Sequence, residues 1–411
     1  MMRVVPVLWL LVALAGVPTA AQQQENKLEP SKLESYRRWG FLRARPGFEL
    51  TKLGYDSNIL SNSTNERISD YTATLSPKLD GLILLGRSFV TLSEKFHYTL
   101  YRKNHEQNFW NNQFSARATV PLRSFGVFSE IAVDDLRWRP IDQEDVRIES
   151  RRRNVGTGVI LQPGWRTEIE LARHVNRWRY TDVETSRIGE RLDRDEFSTD
   201  LDVSYRLRGR SQGLLHVQNK EIDFRFPFDT GTARLDQDTT EWRTLAGLKL
   251  GPGSSIVGQL LVGWSSIDAR DPALADLSDW IAELDATWVA ASRTRIHLTA
   301  ERSPGFAVSA GNAYYLNTQG GIRTVHYFTN VFGGVVAYYL GELDFPEAQV
   351  GVTRRDKTQN VEVGVRLRLF AGTDGRRIEY SATVGRNRRD SNLNGFDQER
   401  TTFSFGAVLG F

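Results

Sequence analysis

From Gly47 to Phe411, bulky apolar side chains return at every second residue, segment after segment. Phe197, Thr199, Leu201, Val203, Tyr205 and Leu207 fall on one side of an extended chain, and Ser198, Asp200, Asp202, Ser204 and Arg206 on the other. Val361, Val363, Val365, Leu367 and Leu369 alternate with Glu362, Gly364, Arg366 and Arg368. The same holds for Phe114, Ala116, Ala118 and Val120 against Gln113, Ser115, Arg117 and Thr119. It holds again for Trp280, Ala282, Leu284, Ala286 and Trp288 against Ile281, Glu283, Asp285 and Thr287. Period two is the period of a strand, so each segment is expected to be a strand with one apolar face. That face must rest on something apolar.

The breaks between these segments alternate in kind. Tight ones carry Gly, Pro, Ser or Asp at 85–88, 122–124, 162–164, 208–211, 251–254, 291–293 and 371–375, the residues that close short turns. Longer polar ones lie at 56–69, 102–108, 139–150, 181–194, 227–238, 268–276, 303–312, 342–348 and 390–399. Short turn, long loop, repeated, describes an up-and-down meander whose two ends face different surroundings. Eighteen strands are expected, from 47–55 to 400–411. A turn near 325–327 and the stretch 348–358 are weakly marked, so sixteen or twenty strands also fit.

A single open sheet of this size has edges that water does not protect, so it must close or split. The alternatives are a soluble propeller or solenoid and a transmembrane barrel. Runs of eleven to fourteen alternating residues suit a tilted membrane crossing, and no repeated blade motif occurs. The polar faces are charged, small and hydroxylic, as a crowded aqueous lumen requires. Aromatic residues gather near strand ends, among them Trp110, Trp165, Trp242, Trp264, Trp280, Phe328, Phe370 and Phe411, as in the two girdles of a membrane barrel. The expected fold is therefore all-β: a closed antiparallel up-and-down transmembrane β-barrel.

The beginning of the chain agrees with export. Arg3 precedes an apolar run from Val4 to Val17, followed by Thr19, Ala20 and Ala21, the layout of a cleavable signal peptide. Residues 1–21 are expected to be removed. Residues 22–46 form an N-terminal segment on the periplasmic side, read either as a short helix that partly occludes the lumen or as a disordered leader. Residues 47–411 form the barrel. The 411-residue chain has no cysteine, which excludes disulfides and thiolate metal sites. Of its 53 basic residues nine are lysine and the rest arginine, interleaved with 50 acids. A nucleic-acid footprint should be clustered, so no nucleic-acid partner is expected.

Phe403, Phe405, Ala407, Leu409 and Phe411 form the apolar face of the last strand. An exported chain ending on phenylalanine, with aromatic or apolar residues at alternate positions behind it, resembles a bacterial outer-membrane protein. The resemblance implies that Phe403, Phe405, Leu409 and Phe411 form the signal read by the barrel-assembly machinery. More narrowly, GFELTKLGYDSNI (47–59), LSPKLD (75–80) and RRDSNLNGFDQERTTFSFGAVLGF (388–411) are similar to the β-barrel porins that accompany exopolysaccharide loci in Gram-negative bacteria. That likeness implies a channel in the outer membrane, in contact with its lipid and linked to polysaccharide or to exopolysaccharide-export components.

The expected pore-lining residues are those of the charged face: Lys95, Arg117, Glu168, Glu170, Asp200, Asp202, Arg206, Glu283, Asp285, Arg366 and Arg368. With eighteen strands, the acids at 168, 170 and 202 would face Arg366 and Arg368 across the lumen and set up a transverse field. No catalytic residue, cofactor or metal site is expected: no phosphate-binding glycine loop and no HExxH occurs, and the histidines have no metal-ligand spacing. Two other functions are open at this point. One is a barrel enzyme acting on lipid or glycan, which a Ser–His pair from adjacent strands facing lipid would favour. The other is a structural or adhesive barrel with a blocked lumen.

Overall fold

The computed structural model describes residues 27–30, 36–138, 148–182, 188–207, 210–229, 234–251, 254–306, 314–349, 352–371 and 377–410. The signal-peptide segment and Phe411 lie outside them. One sheet holds nineteen strands, of which Arg37–Trp39 is a three-residue appendage. The other eighteen are β1 Leu42–Asp56, β2 Asp70–Leu85, β3 Ser88–Tyr101, β4 Phe109–Pro121, β5 Phe125–Trp138, β6 Ile148–Leu161, β7 Thr167–Asp182, β8 Arg194–Arg206 and β9 Ser211–Phe224, then β10 Thr239–Leu250, β11 Ile256–Ala269, β12 Leu277–Ala291, β13 Thr294–Phe306, β14 Tyr314–Tyr327, β15 Phe332–Gln349, β16 Val352–Ala371, β17 Arg377–Ser391 and β18 Gln398–Gly410. Each pairs antiparallel with its successor, and β18 pairs with β1. The result is a closed barrel of eighteen antiparallel strands. Among the described residues no helix is long and apolar enough to cross a membrane.

Closure is explained by the seam. β1 and β18 pair from Gly47↔Gly410 to Asp56↔Thr402, with a register shift between Leu50 and Leu53. Lys52, inside the shift, has a φ of 53°, the mark of a bulge. A Cβ on Gly54 would stand 1.8 Å from the Phe403 carbonyl oxygen, so only glycine lets the two strands meet there. Arg400 then donates to Asp56 from Nε at 2.9 Å.

Four boundaries differ from the sequence expectation. Residues 342–348 are strand, not loop: β15 and β16 pair on from Asp344↔Arg355 to Gln349↔Val352, with a register shift after Phe345. Leu343 and Phe345 pack with Tyr315 in a buried cluster, and the Arg354 guanidinium lies 4.9 Å from the Phe345 ring. This contact extends the pairing past polar residues. The expected loop at 303–312 begins later, because β13 pairs through Phe306↔Tyr314. The weakly marked turn falls at 328–331, where the Phe332 N–H donates to Thr329 Oγ1 (2.9 Å). β1 also begins at Leu42, and Arg37–Trp39 doubles back on it through Gly40, whose φ is 62°.

The apolar faces point outward. On β16, Val361, Val363, Val365, Leu367 and Leu369 are all exposed, while Asn360, Glu362 and Arg366 are 4, 3 and 6 % exposed. The outer band ends in aromatic rims. Tyr71, Trp110, Trp242, Trp264, Trp280 and Phe403 are exposed near the long-loop end; Phe125, Trp165, Trp288, Phe328 and Phe370 are exposed near the tight-turn end. On β11 the run from Ile256 to Trp264 spans about 26 Å along the strand at the usual rise, or about 20 Å of membrane depth at the usual tilt of about 40°, most of the apolar height of about 25 Å in membrane barrels.

Candidate functional site: the barrel interior

The inner wall is built by the polar half of each strand, and its charges are joined strand to strand. Lys78 Nζ lies 2.8 Å from Glu49 Oε1, and Arg366 Nη1 3.0 Å from Glu379 Oε1. Glu241 is held by Lys220, by Arg243 at 3.0 Å and by the Ser265 hydroxyl at 3.1 Å. Asp356, fully buried, accepts from Arg354, Arg389 and Ser391. Buried charges are tolerated when so paired and hydrogen-bonded. Some buried donors make no hydrogen bond: Nε of Arg323 and Nε and Nη2 of Arg366, while Arg323 Nη2 lies 3.7 Å from Glu362 Oε1.

The residues singled out from sequence fall on this wall as follows. Lys95 stands opposite Lys78 and Gln113 in register. Arg117 reaches Glu130 at 3.4 Å and Glu170 at 3.3 Å, and its guanidinium lies 3.7 Å from the Phe128 ring centre. Gln162 donates to Glu168 (3.0 Å). Asp200 accepts from Ser198 (2.7 Å) and Gln218, and Asp202 lies 2.8 Å from His216 Nδ1. Asp285 lies 3.2 Å from His297 Nε2, and Glu283 borders the same interior cavity as Glu168, Glu170, Asp200, Asp202 and Arg206. Arg368 bonds the Tyr327 hydroxyl and lies 4.0 Å from that ring. The expected row of acids opposed to a row of bases is thus closed locally: Glu170 by Lys27 and Arg117, Arg366 by Glu379. Of the terminal set, Phe403 and Phe405 are exposed on the outer face.

The cavity has a volume of about 950 Å³ and is bordered by β6 to β14. Both of its ends are narrowed by residues that the sequence reading did not single out, although it named the segment 22–46 as one that could enter the lumen. At the tight-turn end, Lys27 Nζ lies 2.6 Å from Glu170 Oε2 and 3.8 Å from Glu168 Oε1. Leu28 is only 7 % exposed and packs with Phe128, Ile160 and Ala172. These three break the polarity of the inner wall. Gly126 makes the seat deep enough: a Cβ there would stand 2.5 Å from Leu28 Cδ2. At the long-loop end, Leu274 joins Ile222, Ile267, Phe306 and Tyr314 in a second apolar cluster, with Leu235 against it. The available sequence signal was the inward phase of Ile160 and Ile222, apolar residues on polar faces.

The interior also contains a Ser–His contact. Ser76 Oγ lies 2.6 Å from His97 Nδ1 across β2 and β3, but on the inner face rather than toward lipid. No group of His, Asp or Glu with metal-binding geometry occurs among the described residues.

Comparison with known proteins places this geometry. The family model described as "Putative beta-barrel porin 2" matches residues 38–411. No curated protein matches the chain in sequence. Among solved structures, OccK2 (OpdF) of Pseudomonas aeruginosa is 13 % identical, covers 90 % of this chain and 98 % of its own, and has a TM-score of 0.50. The same protein in complex with glucuronate gives 12 %, the same coverage and 0.50. A BenF-like porin from Pseudomonas fluorescens Pf-5 is 11 % identical, with 90 and 100 % coverage and a TM-score of 0.49. The OccK2 structures share the barrel fold with this chain.

Proposed function

We infer the function from one premise: this chain belongs to the beta-barrel porin family whose model spans residues 38–411. It has the porin-like outer-membrane fold, and we propose that it is a passive aqueous channel for hydrophilic solutes in a Gram-negative outer membrane. The observation that carries this reading is the polarity of the barrel: an apolar aromatic-rimmed outside around a chamber of about 950 Å³ edged by carboxylates, histidines, Gln218 and Lys220. Such a wall offers donors and acceptors of both signs to a hydroxyl-rich solute. The link to polysaccharide and to exopolysaccharide-export components is supported by the resemblance of residues 47–59, 75–80 and 388–411. The exposed Phe403 and Phe405 suit recognition by the barrel-assembly machinery.

Single-channel recording of purified protein in planar bilayers tests the reading. Ohmic conductance, reduced reversibly by neutral oligosaccharides, is expected; a membrane-inserted barrel without conductance refutes it. A second reading, a structural barrel with a blocked lumen, is favoured by the apolar seats at both ends of the chamber. The same recording decides between the two.

A further inference from the structure

The outer face of β6 and β7 carries a charge arrangement that a channel wall does not need. Toward the long-loop end its outward residues are Arg151, Arg153 and Val155 on β6, and Val175, Arg177 and Arg179 on β7. The phase is fixed by Val155 and Leu171, 53 and 46 % exposed, and by Arg152 and Trp178, which meet inside with the guanidinium 5.2 Å from the ring. Register sets Arg153 directly opposite Arg177, and Arg151 opposite Arg179.

The outer two arginines are neutralised. Arg151 Nε lies 2.5 Å from Asp135 and Arg179 Nη2 2.7 Å from Asp195. Arg137 and Glu149, one step nearer the loops, oppose one another in register. Arg173, one step deeper than Val175, donates to Thr199 Oγ1 at 2.6 Å. That leaves Arg153 and Arg177, both exposed, whose side chains form no ion pair or hydrogen bond among the described residues. Directly opposed side chains on an antiparallel pair have Cβ atoms about 5 Å apart, and like charges there repel. Their neighbours toward the tight-turn end are Val155 and Val175, themselves register partners. The two free guanidinium groups therefore sit directly above a valine pair, with the Thr157–Arg173 row one step deeper.

We propose that Arg153 and Arg177 bind the phosphate of an anionic lipid headgroup in the outer leaflet. A phosphate between them turns repulsion into two charge-assisted contacts, and planar guanidinium forks match its oxygens. The acyl chains then descend over Val155 and Val175. In membrane barrels the longer loops face outward from the cell, which places the site in the outer leaflet. The inference rests on the outer-membrane setting of the barrel and not on what passes through it, so a failed conductance test leaves it standing.

The test uses full-length protein in detergent, titrated with diphosphoryl lipid A and with its dephosphorylated form, read by native mass spectrometry. Wild type should retain the phosphorylated lipid at least tenfold more than the dephosphorylated one. The R153S/R177S variant should lose that preference, while R153K/R177K keeps part of it. Heat-modifiable migration on gels checks that each variant is a folded barrel. If R153S/R177S misfolds, the single variants R153S and R177S are each expected to weaken retention severalfold. Equal retention of the two lipids by wild type, or an unchanged preference in the folded variants, overturns the proposal. So does displacement of the lipid by millimolar inorganic phosphate alone, which would mark a site for free anions.

Discussion

Replacing Leu28 by serine should loosen the tight-turn end of the chamber. Leu28 is 7 % exposed in a seat made by Phe128, Ile160 and Ala172, and burying a leucine side chain is worth about 2 kcal/mol. The adjoining Lys27–Glu170 pair adds less than about 1 kcal/mol, because the lysine is 39 % exposed and solvent screens it. Leu28→Ser removes most of the apolar term and leaves the ion pair. At about 1.4 kcal/mol per tenfold, the ratio of seated to released segment should fall about thirtyfold. A segment that is seated about 95 % of the time would then be released for more than half of it. Single-channel recordings should accordingly show a second, larger conductance level in Leu28→Ser that is rare in wild type. Gly126→Ala should do the same from the other side, since its new Cβ would press on Leu28. Identical conductance histograms in wild type, in Leu28→Ser and in a variant lacking residues 22–30 would refute the reasoning.

Other perturbations have equally direct outcomes. Gly54→Ala places a Cβ against the Phe403 carbonyl and should cost more than the about 1–3 kcal/mol of ordinary overpacking; less heat-modifiable protein in the membrane fraction is the check. Phe403→Ser with Phe405→Ser should lower the amount of assembled barrel severalfold without changing the synthesis rate, measured by pulse-chase and trypsin resistance. Arg366→Ser with Arg368→Ser frees Glu379 and should shift ion selectivity toward cations; an unchanged reversal potential in a salt gradient counts against a conducting wall at that place.

The barrel was legible because its controlling pattern is local. Val361 to Leu369 declare their face by alternation alone, and the difference between tight and long breaks gives the meander. What was illegible depends on register, a long-range quantity. Glu170 is answered by Arg117, more than fifty residues earlier, and by Lys27, outside the barrel; no spacing in the sequence pairs them. A charged face therefore reads as a row of free ions until the strands are aligned. The extension of β15 and β16 past Pro346 was hidden for the same reason. Local propensity at 342–348 favours a loop, and the contact of Phe345 with Tyr315 overrides it. Leu28 had no periodic context at all, so only its seat identifies it.

The seam between β1 and β18 also sets a clock. Every other neighbouring pair joins consecutive stretches of chain, whereas this one brings Gly47 to Gly410. Contacts of such sequence separation carry the largest loop-closure entropy and form late. Until they do, the bulged edge at Lys52 and the free edge of the last strand are both exposed to any other ribbon in reach. The interval before they meet is when this chain most needs an escort, and a slower zipper at Gly54 would lengthen it.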